Sequence, residues 1–243
     1  ADPTADVEGH DAAAKVAILG GLAFHSWYTI DDVYCRGIRG ITAEDVEAAR
    51  SAGFVIKLLG VAERVSSGVN LRVVPTMIPR THPLASVHGG YNAVFVEAAN
   101  AGSLMFYGQG AGGHPTASAV LGDLVSAARS RVHGGVGPRE SRYAELESIP
   151  LEELRSAFYI SLTVQDRPGV LAEIAGTLSG YGISISTIHQ ELLHSREEGS
   201  QALAHIGIST HRALESAMTA SLDMFSSTAT VLSIDSVLRI EGD

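Results

Sequence analysis

Between residues 158 and 164 the chain alternates. Phe158, Ile160, Leu162 and Val164 stand against Tyr159, Ser161 and Thr163. A period of two predicts a strand with one buried face. Residues 170–179 change to helical spacing, with Val170, Leu171, Ile174 and Leu178 on one side. Gly182 closes that helix, and 183–192 alternates again. A polar turn at 196–200, a strand at 202–210, a helix at 211–222 and a strand at 230–240 complete a βαββαβ order. That order is the ferredoxin-like arrangement, an antiparallel sheet with helices on one face.

The first half carries a different series. Residues 11–27 read as a helix opened by three alanines, the best helix formers. Thr42, with Asp45 three positions on, marks a second helix start, and Gly53 marks its end. Residues 54–65 and 71–77 are rich in branched side chains and read as paired strands around Ser66-Ser67-Gly68. A second strand pair, 93–98 and 104–107, turns at Asn100-Ala101-Gly102. The glycine-rich stretch 108–113 follows, and Pro115 sits in the first turn of a helix reaching 131. Its stripe of Val120, Leu121, Leu124 and Val125 reads as core. The expected class is α+β, a helix-covered, mostly antiparallel sheet domain at 1–132 and the ferredoxin-like module at 157–243. Residues 133–156, turn-rich and then charged, read as a solvated linker.

Composition narrows the function. The 243 residues are 45% hydrophobic and 18% charged, as expected of a folded protein. A net charge of −10 argues against a nucleic-acid binder, which presents a basic face. One cysteine, Cys35, excludes an intramolecular disulfide framework and suits a reducing cytoplasm. Cys35 has no paired base in sequence and is not read as a nucleophile. The longest apolar run, 16–24, is about half a membrane span, so no membrane partner is expected.

The densest chemistry lies in the first fifteen residues: Asp2, Asp6, Glu8, His10, Asp11 and Lys15. Asp11 and Lys15 are four apart and share a helix face. A carboxylate beside an ammonium is a usable acid–base arrangement, and equally an ordinary solvated ion pair. Asp2, Asp6 and His10 lack the tight spacing of a metal site, and no metal is expected. The glycine loop reads either as a tight turn or as a place where backbone approaches a polar ligand.

The stretch from Asp2 to Lys15, with its Asp-x4-Asp-x3-Lys spacing and Gly9, resembles the homoserine dehydrogenase family. So do the run Ser86-Val87-His88-Gly89-Gly90-Tyr91-Asn92-Ala93 and the run from Gly110 to Val120. The resemblance implies interconversion of aspartate semialdehyde and homoserine with NADP or NAD, in threonine and methionine biosynthesis. It implies Lys15 as proton donor and acceptor, Asp11 beside it, and Asp6, Asp11 and Lys15 as substrate-binding residues. Gly110, Ala111 and Gly112 would border the nicotinamide. The family's N-terminal cofactor domain, with its glycine fingerprint, has no counterpart in this sequence, so this region is expected to be inactive alone. Gln165-Asp166-Arg167-Pro168-Gly169-Val170-Leu171 resembles the ACT domains, small-ligand sensors. That implies an amino-acid effector, threonine by family, held by Asp166, Gly169, Val170 and Leu171. It also implies a homo-oligomer, a dimer at least. The rival reading is a stand-alone amino-acid-binding regulatory protein with a degenerate enzyme-like region.

Overall fold

A computed structural model describes residues 2–135, 143–193 and 202–242. Two compact units emerge, Ala1–Pro79 with Tyr143–Asp243, and Arg80–Arg142. The fold is α+β.

The first unit begins with a one-turn helix, α1 (Thr4–Val7), and the alanine-rich α2 (His10–Phe24). A two-residue strand, β1 (Tyr34–Cys35), leads to α3 (Ala43–Ser51). Thr42 caps α3 as expected, its hydroxyl accepting from the Asp45 amide while the Asp45 carboxylate accepts from the Thr42 amide. The long hairpin β2 (Phe54–Val65) and β3 (Gly68–Pro79) follows. Nearly all of β3 is buried, because it has strands on both edges. Ala13, Val16 and Ala17 of α2 pack on Val69, Leu71 and Val73 of β3.

The chain re-enters this unit before β6 (Arg155–Gln165), α5 (Val170–Gly180), β7 (Ile185–Leu193) and β8 (Leu203–Thr210). The expected polar turn at 196–200 lies outside the described residues. A short β9 (Ala213–Leu214), α6 (Glu215–Ser227) and β10 (Val231–Ile240) end the order. The second helix was expected over 211–222. It starts later because Ala213 and Leu214 pair with Ser156 and Arg155, and a residue engaged in a ladder cannot open a helix. The core is the predicted one but for one residue: Phe158, Ile160, Leu162 and Val164 pack with Val170, Ile174 and Leu178, whereas Leu171, one position round the helix from Val170, is exposed.

Both parts of this unit share one eight-stranded sheet, ordered β1-β3-β10-β6-β8-β7, with β2 on β3 and β9 on β6. Its seam is a short parallel pairing in which Arg239 and Ile240 of β10 face Thr76 and Met77 of β3. Residues 136–142 of the expected linker lie outside the described residues. The charged stretch after them does not run free through solvent. The Leu146 amide donates to the Ser26 hydroxyl, the Tyr28 hydroxyl donates to the Leu146 carbonyl, and Asn70 donates to the Ile149 carbonyl. Leu151 and Leu154 are buried. The apolar residues spaced among its charges anchor it to the first half.

The second unit holds the hairpin β4 (Tyr91–Ala98) and β5 (Gly102–Gln109), then α4 (Gly113–Val132). Here one expectation fails. Val120, Leu121, Leu124 and Val125 are not core: none of the twenty residues of α4 is buried. The helical spacing is as read, but no described element covers that stripe. Among the described residues no helix is long and apolar enough to cross a membrane.

Candidate functional site

α2 enters through Gly9, whose φ of +83° is the left-handed conformation. A side chain there would also crowd Val73 at 2.9 Å and the Cys35 sulfur at 3.1 Å. The turn is pinned from outside: the Cys35 thiol donates to the Glu8 carbonyl, the Ile38 amide to the Val7 carbonyl, and Arg39 pairs with Glu8. Burial, with the Glu8 carboxylate nearby, pushes the Cys35 thiol above its ordinary range, so it stays protonated at neutral pH.

On the first turns of α2, Lys15 Nζ lies 2.5 Å from Asp11 Oδ2. The two side chains are 58% and 50% exposed. The i,i+4 geometry brings them together, and exposure leaves the ammonium reachable by a substrate. Asp6, in α1, is exposed near the same turn. Asp2 is occupied locally, its carboxylate accepting from the Thr4 hydroxyl and amide, which lowers its pKa. Among the described residues no cluster of His, Cys, Asp and Glu could hold a metal.

Gly110, Ala111 and Gly112 belong to the second unit, at the entry to α4. A side chain on Gly110 would collide with the Asn92 amide, so this glycine is needed for local packing. Nothing lies within 4 Å of where a side chain on Gly113 would stand, so the mouth of the helix is open. An exposed glycine backbone at the positive end of a twenty-residue helix suits a polar or anionic group.

The expected effector residues do converge. Asp166, Gly169, Val170 and Leu171, with Arg167 and Gln190 among their neighbours, line a cleft of about 360 Å³. Gly169 is left-handed at φ +94° and opens α5. Gln190, on β7, reaches Asp166 at 3.4 Å, a contribution that no local pattern announced. Arg167 bridges to Glu173 at 3.0 Å and donates to the Thr230 hydroxyl at 2.9 Å. Thr230 in turn donates to Glu173, and this bond, with Arg167, holds the Glu173 carboxyl below its ordinary value.

The chain is similar to known proteins along its whole length. The family model described as homoserine dehydrogenase matches residues 1–125, and the ACT domain model matches 158–202. Homoserine dehydrogenase of Corynebacterium glutamicum is 50% identical over all of this chain and 54% of its own length. That of Mycobacterium tuberculosis is 49% identical over all of this chain and 56% of its own. The crystal structure of a homoserine dehydrogenase from Thiobacillus denitrificans superposes with a TM-score of 0.89 at 37% identity, covering 99% of this chain and 55% of that one. The chain spans about half the length of the curated relatives it matches. With the ion pair of α2 and the cleft before α5 both where the motifs put them, the chain belongs to the homoserine dehydrogenase family and carries its ACT domain.

Proposed function

We propose that this chain supplies the substrate-binding and regulatory half of a homoserine dehydrogenase, interconverting aspartate semialdehyde and homoserine with NADP or NAD in threonine and methionine synthesis. The observation that carries the reading is the reachable Lys15–Asp11 pair behind the Gly9 turn. In the reducing direction a developing alkoxide needs a positive donor, and Lys15 gives a proton to that oxygen; in reverse it takes the proton back. Asp11 holds the Lys15 ammonium in place, and Asp6 and Asp11 attract the substrate's own ammonium. When bound, the nicotinamide cofactor supplies or accepts the hydride, with Gly110, Ala111 and Gly112 bordering it. We place the substrate-binding region at 1–132, a connector at 133–156 and the regulatory domain at 157–243, in a cytoplasmic enzyme.

The cleft before α5 is the effector site in this reading, with threonine as ligand. The Leu171 amide, and the Val170 amide on leaving the long 3.4 Å bond it makes to the Arg167 carbonyl, meet its carboxylate where α5 opens, and Asp166 meets its ammonium. The chain also self-associates in this reading, at least as a dimer. The uncovered apolar stripe of α4 and the exposed Phe106 and Tyr107 of β5 support that, and sedimentation tests it.

The test is turnover of homoserine in an enzyme of the relatives' full length. Lys15→Met is expected to lower kcat by about 10²- to 10⁴-fold, the usual weight of a positioned acid–base group. Near-normal turnover would remove the assignment. Asp166→Ala is expected to abolish the rise in melting temperature that millimolar threonine produces; an undiminished rise places the effector elsewhere.

A further inference from the structure

Arg72 lies in the middle of β3 with its side chain only 2% exposed. It meets two carboxylates, Glu63 of β2 at 2.9 Å and Glu241, just past β10, at 2.5 Å. It also donates to the Asn70 side chain at 3.1 Å, while its Nε is buried without a partner. Such a pair is a poor way to gain stability, because desolvating two ions offsets most of their attraction. A sealed guanidinium with an unmet N–H, held by carboxylates that remain 31% and 21% exposed, calls for another explanation, and its position offers one.

β10 is ten residues long, about 33 Å at the usual rise. Just before it, Thr230 is held by Glu173 and by Arg167, and its carbonyl accepts from the Gln165 amide; Arg167 and Gln165 both line the cleft. The far end of β10 is the seam with β3, where the Glu241 amide donates to the Met77 carbonyl and the Glu241 carboxylate closes on Arg72. Val73, the next residue of β3, presses on Gly9 and the start of α2. β10 is thus tied before its start, through Thr230 and Arg167, to the lining of the cleft, and past its end, through Glu241 and Arg72, to the strand that supports the Lys15–Asp11 helix.

We propose that the buried Arg72–Glu241 pair is the latch that transmits occupancy of the Asp166–Leu171 cleft, along β10, to β3 and the α2 ion pair. The inference rests on the reading of that cleft as an amino-acid effector site. A ligand at one end shifts the other only if the connecting element has a defined register at both; the Thr230 bonds supply it at the start and the Arg72–Glu241 pair at the end. Arg212, 3.9 Å from the second Glu241 oxygen, is the remaining charge at the latch.

Hydrogen exchange on this chain, with and without millimolar L-threonine, tests it. In the unaltered chain threonine is expected to slow exchange at the start of α5 and to change it in β3 and the first turns of α2, by about fivefold or more. In Glu241→Gln the α5 response persists and the β3 and α2 response is lost; Glu241→Asp restores part of it. Thr230→Val, which leaves Arg72 paired, loses the distant response in the same way and serves if Glu241→Gln unfolds. An undiminished β3 and α2 response in both variants overturns the latch, as does α5 protection with no distant change in the unaltered chain. Absence of α5 protection in the unaltered chain overturns the effector reading itself, and the latch with it.

Discussion

Two ion pairs in this protein have the same nitrogen–oxygen separation, 2.5 Å, and opposite surroundings. Lys15 and Asp11 stand half in water on one helix, four residues apart. Arg72 and Glu241 are 169 residues apart and meet inside the sheet seam. In water such an attraction is worth little, and the exposed pair can exchange its partner for another group. In the interior the same contact cannot be broken without stranding a charge, so it holds two strands in one relation. Distance alone does not say which role a pair has; burial does.

The contrast can be broken most sharply at turnover and at stability together. Lys15→Met, expected to cost orders of magnitude in kcat, should lower unfolding free energy by only about 0.3–0.5 kcal/mol, the worth of an exposed helical pair. A large stability loss would show the α2 pair to be structural. Arg72→Met should lower the urea-unfolding free energy by about 1.5–3 kcal/mol, since Glu63 and Glu241, still partly in water, lose the buried cation they share. The double change Arg72→Met with Glu241→Gln should recover part of that loss. Equal losses would mean that packing, not charge, dominates there.

The pair between Arg167 and Glu173 makes a third, exposed case with a pH signature. The Thr230 and Arg167 bonds lower the Glu173 pKa in the folded chain. Its contribution is therefore present above the ordinary carboxylate value and fades as pH falls through the depressed one. Glu173→Gln should be slightly less stable than the unaltered chain at neutral pH, with the difference closing in acid. A difference that grows in acid would invert the assignment.

Much of this was legible before any coordinates. The Thr42 cap, the two hairpins, the βαββαβ order and the Lys15–Asp11 pair all follow from spacings of two, three or four residues, the range over which helix and strand geometry acts directly. The turn before α5 was legible as well, because Asp166 and Gly169 sit in one short motif. Gln190 was not, since it arrives from another strand. The stripe on α4 shows the converse limit: Val120, Leu121, Leu124 and Val125 announced an apolar face correctly, and nothing local stated whether a neighbour covers it.

Chain order alone thus settles the long helices and hairpins, which family the motifs belong to and which side chains share a turn; the short α1, β1 and β9 escape it. Tertiary packing alone decides that both halves of the first unit share one sheet, that the stretch before β6 is tied down, and that buried Arg72 meets Glu241. The reason is physical: local geometry acts through bonds and near neighbours, whereas burial depends on segments brought together from distant parts of the chain.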